Sequence, residues 1–266
     1  MVCWSLRHRG EELLGQRDGL AAYAETGKTM GIPLLHPWAN RLGAWSYEAL
    51  GREVDLEPVR ERLVRADPAT GLPNHGTRPR PWRVVGDGVA ELDGASEAFP
   101  FLHTIRIEAS IDGGTLRIAT TVEARDEPVP VAFGFHPYLV LPGVGRADWH
   151  VELPVSRRLM LSEQKVPTGE TEPVQPYAGP LGDRAYDDGY DELTGAPFVL
   201  EGGSRRIELA FEAGFPVAQV YAPPGKDLIA FEPMTARADA LRTGGFAVTS
   251  PGEPYRAVFS IAVSDG

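Results

Sequence analysis

Polar and apolar residues alternate along most of this chain, which is the two-residue period of a β-strand. The clearest example is residues 102–111, LHTIRIEASI, followed by Asp112-Gly113-Gly114 and a second alternating run at 116–122, LRIATTV. Because a glycine pair supplies the backbone conformations of a tight turn, this stretch predicts a hairpin. The same pattern predicts further strands, which are residues 82–85, 149–153, 207–211, 217–221, 228–231 and 257–263.

Helical periodicity is nearly absent from the chain. Residues 57–66 and 236–241 each predict no more than a short helical turn. Glycine and proline, at 30 and 24 residues, are spread along the chain without a linker block. Many short strands without alternating helices predict an all-β fold, a large antiparallel β-sandwich or barrel, formed as a single domain over residues 1–266.

Two predicted strands end in a polar residue of a type that can act as an acid or a base. In residues 131–136, VAFGFH, alternation places apolar side chains on one face and two small residues plus His136 on the other. The small residues predict room for a ligand against the sheet beside this histidine. Residues 228–232, LIAFE, repeat the arrangement and end in Glu232. Taken alone, a histidine or glutamate at a strand end is more typical of a structural residue.

Charge and composition narrow the function classes. A formal net charge of −11 argues against a nucleic-acid or anionic-membrane partner, because both require a basic face. The single cysteine, Cys3, excludes an internal disulfide and a cysteine-based zinc site, and the six histidines lack metal-ligand spacing, so we expect no metal. With no leader-like or membrane-spanning apolar segment, the expected location is the cytoplasm.

A loose nucleotide-binding pattern occurs at residues 22–29, AYAETGKT. A working P-loop needs a helix that begins directly after it, so that backbone N–H groups surround the phosphates. Gly31, Pro33 and Pro37 follow at once and prevent a helix there. We therefore interpret the match as a chance occurrence.

Six segments, in this order, resemble one family. They are PLLHPWANRLG at 33–43, NHG at 74–76, FGFHPYLVLPG at 133–143, YDDGYDEL at 186–193, QVYAPPG at 219–225 and FEPMTARADAL at 231–241. Together they are similar to the aldose 1-epimerases, or galactose mutarotase-like proteins, over most of the chain. The resemblance implies a β-supersandwich, in which antiparallel sheets stack and one concave face stays open.

The resemblance also implies residue roles. His136, in the H-P-Y position, matches the general acid at the sugar ring oxygen, and Glu232 matches the general base at the anomeric hydroxyl. The implied substrate-binding residues are Asn40, Arg41, His75 and Asp187, with Asp188 as the fallback for the last. The expected reaction interconverts the α and β anomers of a free hexose and requires no cofactor. The expected partner is the sugar alone, with the protein a monomer or homodimer.

Three alternatives remain open at this stage. The chain departs from the family pattern at Ala39, Thr77 and Arg242. Arg242, together with arginines near the NHG segment, raises a hexose-6-phosphate mutarotase as the nearest enzymatic alternative, because guanidinium groups suit phosphate oxygens; those arginines are Arg78, Arg80 and Arg83. A carbohydrate-binding protein without turnover is a second alternative. A glycoside hydrolase is weaker, since it needs two carboxylates flanking one bond.

Overall fold

A computed structural model describes residues 1–265, which form mostly antiparallel strands. In the first half these are β1 (Val2–Cys3), β2 (Arg7–His8), β3 (Glu11–Glu12), β4 (Ile32–Leu35), β5 (Ser46–Ala49), β6 (Arg52–Asp55), β7 (Val64–Ala66), β8 (Pro73–Thr77), β9 (Arg83–Gly86), β10 (Val89–Asp93), β11 (His103–Asp112), β12 (Thr115–Ala124) and β13 (Val129–Val131).

In the second half they are β14 (Gly134–Phe135), β15 (Tyr138–Leu139), β16 (His150–Leu153), β17 (Val155–Leu161), β18 (Pro167–Pro173), β19 (Tyr177–Pro180), β20 (Tyr186–Leu193), β21 (Phe198–Gly202), β22 (Arg205–Ala213), β23 (Val217–Ala222), β24 (Ile229–Met234), β25 (Ala247–Thr249) and β26 (Tyr255–Ser264). The helices are α1 (Gly19–Thr26), α2 (Ala240–Thr243) and the 3₁₀ turns Glu57–Val59 and Arg146–Asp148.

Two nine-stranded sheets organise the molecule. The first sheet has the order β1-β4-β14-β24-β23-β20-β17-β18, with β15 also paired to β24. The second sheet has the order β19-β16-β21-β22-β26-β12-β11-β10-β9. Four two-stranded ribbons, β2-β3, β5-β6, β7-β8 and β13-β25, accompany them.

The main core lies between the two sheets. Phe135 of the first sheet meets Phe259 of the second with ring centroids 5.0 Å apart, and Phe231 meets Phe198 at 5.2 Å. A second cluster, centred on the fully buried Trp38, supports the segment that follows β4. The inward face of the first sheet is thus committed to packing, which leaves its outward face for other contacts.

The strand predictions are confirmed, except that residues 131–136 are not one strand: β13 ends at Val131 and pairs with β25, whereas β14 (Gly134–Phe135) belongs to the first nine-stranded sheet. The predicted hairpin is β11-β12, with Asp112 paired to Thr115 and a turn of two positive-φ glycines, Gly113 and Gly114. Of the two predicted helical turns, the one at 57–66 contains the 3₁₀ turn Glu57–Val59, and the one at 236–241 overlaps the start of the four-residue α2. The sequence pattern did not predict α1. This helix ends at Thr26, inside the P-loop-like stretch 22–29, and no helix begins directly after that stretch.

The small residues at 131–136 serve packing, and the prediction that they leave room for a ligand is wrong. Ala132 is buried, and its carbonyl accepts a 2.7 Å hydrogen bond from the Ala39 backbone N–H. A Cβ added at Gly134 would lie 2.7 Å from the Pro233 carbonyl oxygen and 2.9 Å from the Cβ of Ala39. The missing side chains therefore let the segment after β4 lie against the sheet.

Candidate active site

The outward face of the first sheet forms the floor of a cleft with a volume of about 150 Å³. Strand alternation explains which side chains reach it. Phe231 packs in the core, so Glu232 points to the opposite face. The register pairs Gln219 with Glu232 and Tyr221 with Ala230, which places the two β23 side chains beside the glutamate. Neighbouring strands thus supply one polar surface.

His136 and Glu232 form a buried pair at this floor. Nε2 of His136 lies 3.1 Å from Oε1 of Glu232, and the two side chains are 5% and 2% exposed. The imidazole stacks on the Tyr138 ring with centroids 3.9 Å apart. The other polar atom of each side chain, His136 Nδ1 and Glu232 Oε2, has no hydrogen-bond partner within residues 1–265. Because buried polar atoms are normally paired, these two unpaired atoms mark the pair as a candidate functional group.

The protein environment shifts the pKa values of both His136 and Glu232. Burial raises the pKa of Glu232 well above its usual value, and the nearby Asp187 raises it further. Burial lowers the pKa of His136 well below its usual value, and His75 and Arg17 lower it further. An ordinary carboxyl has a pKa near 4.3 and an ordinary imidazole one near 6.5, so these shifts bring the two proton affinities toward each other. Both shifts therefore reduce the ordinary preference of the proton for the imidazole.

The wall opposite the sheet comes from the segment after β4 and from β8. The Asn40 carbonyl accepts a 2.9 Å hydrogen bond from the His75 backbone N–H, which joins the two segments. Arg41 donates through Nε to Asp67 at 2.5 Å. The His75 ring stands edge-on to that of His136 with centroids 5.6 Å apart. Burial, then the charges of Arg65 and Arg41, lower the pKa of His75 to about 3, so it is a neutral hydrogen-bonding group at pH 7.

Gly76 makes this wall possible. It has a φ of 71°, and a Cβ at this position would lie 2.1 Å from the His36 carbonyl oxygen. The NHG segment belongs to β8, and His75 itself has a φ of 60°. The two consecutive positive-φ residues interrupt the regular strand and present His75 to the cleft.

The two adjacent aspartates of β20 lie on opposite faces. Asp187 lines the cleft and accepts a 3.0 Å hydrogen bond from Nε2 of Gln219. Asp188 is on the other face, 3.5 Å from Nη1 of Arg158. The alternation of a single strand decides between them, and Asp187 is the one that faces the candidate site.

The six site residues predicted from sequence all line this one cleft: Asn40, Arg41, His75, His136, Asp187 and Glu232. Further lining residues received no role in the sequence analysis: Arg17, Thr29, Arg65, Asp67, Pro68, Asn74, Tyr138, Gln219 and Tyr221. Four of these lie inside the family-like segments, and their spacing along strands could have identified them: Asn74, Tyr138, Gln219 and Tyr221. Arg17 and Arg65 lie outside those segments.

The arginines that raised a phosphorylated substrate do not line the cleft. Arg242 pairs with Asp239 at 2.9 Å, and Arg83 pairs with Glu91 at 2.5 Å. Arg80 donates to the Gly94 carbonyl and borders a separate groove that it shares with Arg83. Arg78 donates to the Thr26 carbonyl at 2.9 Å. The places of these four arginines in the structure therefore do not support an anionic substrate.

Solved structures share this fold. A Slr1438 protein from Synechocystis sp. PCC 6803 superposes with a TM-score of 0.77 at 22% identity, covering 97% of this chain and 86% of that one. A putative aldose 1-epimerase from Escherichia coli K12 gives 0.77 at 19% identity, covering 100% and 93%. A galactose 1-epimerase from Lactobacillus acidophilus NCFM gives 0.73 at 14% identity, covering 97% and 86%. The fold is therefore the galactose mutarotase-like supersandwich, as predicted.

The family follows from the sequence match. The aldose 1-epimerase family model matches residues 3–262. No curated protein sequence matches the chain. The chain belongs to the aldose 1-epimerase family. Within residues 1–265, no helix is long and apolar enough to cross a membrane.

Proposed function

We propose that this protein is an aldose 1-epimerase, which interconverts the α and β anomers of a hexose by opening and closing the sugar ring. The observation that carries the proposal is the buried His136–Glu232 pair, whose polar atoms are 3.1 Å apart at the floor of a polar cleft. The reaction requires a sugar whose anomeric hydroxyl is unsubstituted, and a free hexose meets this requirement.

Ring opening needs one proton removed and one delivered. The pair holds one proton between His136 Nε2 and Glu232 Oε1, and the reaction starts from the form in which this proton is on His136, so that the imidazole is cationic and Glu232 is a carboxylate. Glu232 takes the proton from the anomeric hydroxyl O1, the O1–H electrons form the C1=O1 bond, and the C1–O5 bond breaks. His136 gives its proton to O5. Each positioned proton-transfer group typically contributes about 10²- to 10⁴-fold to such a rate.

Ring closure runs the same transfers in reverse. The open aldehyde rotates about C1–C2, O5 attacks the opposite face of C1, and O5 returns its proton to His136. Glu232 returns its proton to O1, which restores both groups. The raised pKa of Glu232 helps it to take a proton from O1, and the lowered pKa of His136 helps it to release one to O5. A catalyst for anomer exchange must serve both directions, and this pair suits that requirement.

The remaining groups suit recognition of hydroxyls. The neutral His75 and the carboxyl group of Asp187 both line the cleft. Tyr138 and Tyr221 flank the His136 ring at centroid distances of 3.9 and 5.7 Å and supply flat, partly apolar surfaces for a sugar ring.

The test is exchange NMR on equilibrated sugars, which measures α to β interconversion without pure anomers. We expect the protein to accelerate exchange of at least one hexose among glucose, galactose and glucose 6-phosphate, and His136→Asn to abolish the acceleration. His150→Asn, which changes an exposed histidine at the start of β16, is the matched control and should keep the activity.

The opposite results are informative. If no sugar exchanges faster but sugar binding is measurable by calorimetry, the protein is a carbohydrate-binding member of the fold. If exchange persists in His136→Asn, the assigned acid is wrong.

A further inference from the structure

Two arginines at one end of the cleft have no carboxylate partner. Arg17 precedes α1 and Arg65 lies in β7, and both line the same cleft as His136 and Glu232. Within residues 1–265, neither guanidinium group forms an ion pair, whereas the third cleft arginine, Arg41, is bound to Asp67. Positive charge is therefore concentrated on one side of the site.

The protein fixes both side chains but leaves most of their donors unused. Nη1 of Arg17 donates to the Thr29 carbonyl at 3.0 Å and to the Tyr138 hydroxyl at 2.8 Å, and its guanidinium carbon lies 4.8 Å from the Tyr138 ring centroid. Nη1 of Arg65 donates to the Gly27 carbonyl at 3.0 Å. Among the described residues, Nε and Nη2 of each arginine have no acceptor. These are the donors that form paired bonds to an oxyanion.

A shortage of carboxylates in the chain does not explain why Arg17 and Arg65 form no ion pair. The chain has 37 acidic residues against 26 Lys and Arg. Burial lowers the pKa of Arg65 and the charge of the neighbouring Arg17 lowers it further, while Tyr138 and Asp67, which forms its ion pair with Arg41, act in the opposite direction; the guanidinium remains protonated at neutral pH. Holding two like charges near each other in a partly buried site costs free energy, which a bound anion would recover.

We propose that Arg17 and Arg65 bind an anionic group of the substrate, so that the preferred substrate is an aldose carrying a phosphate or carboxylate. This inference rests on the proposed epimerase function. It replaces the uncharged hexose that the sequence favours, and it does so through arginines other than those that the sequence suggested.

The position of the two arginines fits a group at the sugar's sixth carbon. Tyr138 stacks on His136 and bonds Arg17, so the cationic end lies one side chain away from the proposed proton donor to O5. Carbon 6 is bonded to C5, which is itself bonded to O5. A phosphate on O6, or a carboxylate at C6, therefore extends from the side of the ring that His136 protonates.

The test compares kcat/KM for anomer exchange of glucose, glucose 6-phosphate and glucuronate. We expect at least one of the two anionic sugars to exceed glucose by tenfold or more. Each charge-assisted hydrogen bond contributes roughly a tenfold to hundredfold effect on binding. Preference for glucose 6-phosphate alone identifies a phosphate site, and preference for glucuronate alone identifies a carboxylate site.

Variants assign the preference to the two arginines. Arg17→Ala combined with Arg65→Ala should reduce the ratio of kcat/KM for the preferred anionic sugar to that for glucose by about tenfold to a hundredfold. Arg83→Ala, which removes an exposed arginine outside the cleft, should leave this ratio unchanged. Equal kcat/KM values for all three sugars, or an unchanged ratio in the double variant, would overturn the proposal.

The failure of the epimerase function would be seen separately. If no sugar exchanges faster, titration calorimetry with glucose 6-phosphate and glucuronate still tests the arginine site. Binding of either sugar that weakens at least tenfold in the double variant supports the anion site without turnover. Absent binding of both, or equal binding by the wild type and the double variant, refutes it.

Discussion

The Glu232 carboxyl group is almost fully buried, yet one of its oxygens has no hydrogen-bond partner in the described chain. Such an atom is costly in a resting protein and useful in a site that receives a hydroxyl. We expect Glu232→Gln, which keeps the shape but cannot accept the O1 proton, to lower kcat by about 10²- to 10⁴-fold. The measurement is exchange NMR for turnover, together with calorimetry for the sugar Kd.

The Kd is the informative control for this substitution. Because glutamine retains an oxygen for hydrogen bonding, the Kd should change far less than kcat. A loss of binding equal to the loss of kcat would identify Glu232 as a substrate-holding residue and not as the base.

Asp187 and Asp188 offer a matched pair of substitutions in adjacent positions. Asp187→Asn removes a charged acceptor from the cleft, and we expect kcat/KM to fall by about tenfold to a hundredfold. Asp188→Asn changes a carboxylate that faces Arg158 on the other side of β20, so kcat/KM should stay within about threefold of wild type. Steady-state exchange kinetics on both variants measure the two kcat/KM values. The reverse ranking would contradict the assignment of strand faces.

At the level of single residues, the sequence identifies groups that lie within dense local patterns. His136 directly follows β14 and Glu232 lies within β24, each beside distinctive neighbours, and Asp187 follows from the alternation of β20. Arg17 and Arg65 cannot be found this way, because they are 48 positions apart in loosely patterned segments and reach the cleft only through tertiary packing.

The irregular strand β8 shows how an element carries function through backbone conformation. Gly76 and Gly252 both have positive φ values, 71° and 83°, but only a Cβ at Gly76 would collide with the His36 carbonyl. Gly252→Ala should therefore cost only the left-handed backbone strain, about 1–2 kcal/mol. Gly76→Ala should cost more, and it should also lower kcat/KM because β8 must shift with His75. Urea unfolding and exchange NMR measure the two effects.

A Gly76→Ala variant with the stability and activity of Gly252→Ala would mean that the contact of β8 with His36 is easily rearranged. The comparison separates steric displacement from backbone strain, since both variants share the strain.

Elements with a clear two-residue period are predictable, and those without it are not. The hairpin β11-β12 follows from ten-residue alternation and a glycine turn. Helix α1 escaped prediction because its eight residues, GLAAYAET, bury only Tyr23 and show no apolar stripe. The bare face predicted at 131–136 is covered by a segment almost 100 positions earlier in the chain, and local pattern contains no information about such a contact.

Across the whole molecule, buried histidines tie stability to pH. Burial lowers the pKa of His36 and His136 well below the usual value, that of His103 to about 4 and that of His75 to about 3. Nδ1 of His103 donates to the Phe101 carbonyl at 2.7 Å, and its Nε2 lies 2.9 Å from Nε2 of His36. When His103 is neutral, its Nε2 accepts and His36 donates; the contact cannot form when both rings are protonated, because both Nε2 atoms would then carry a hydrogen.

The sign of the pH effect follows from proton counts. Below about pH 6.5 the unfolded chain protonates these histidines while the folded chain does not, so the unfolded state binds more protons. Stability is therefore complete above pH 6.5 and falls as the pH drops toward the folded pKa values. Each histidine contributes up to about 1.4 kcal/mol per pH unit in this window. The raised pKa of Glu232 acts in the opposite sense, because the folded state retains its proton at higher pH.

A substitution in the His36–His103 contact isolates one contribution to this slope. We expect His103→Gln to be less stable than wild type at pH 7.5, because it loses a buried hydrogen bond. Its unfolding free energy should nevertheless fall less steeply between pH 6.5 and 5.5, by up to about 1.4 kcal/mol per pH unit. Urea unfolding at pH 7.5, 6.5 and 5.5 measures both effects, with the exposed-site variant His150→Gln as the control. Parallel pH profiles for wild type and His103→Gln would show that His103 takes up a proton in the folded protein as readily as in the unfolded chain.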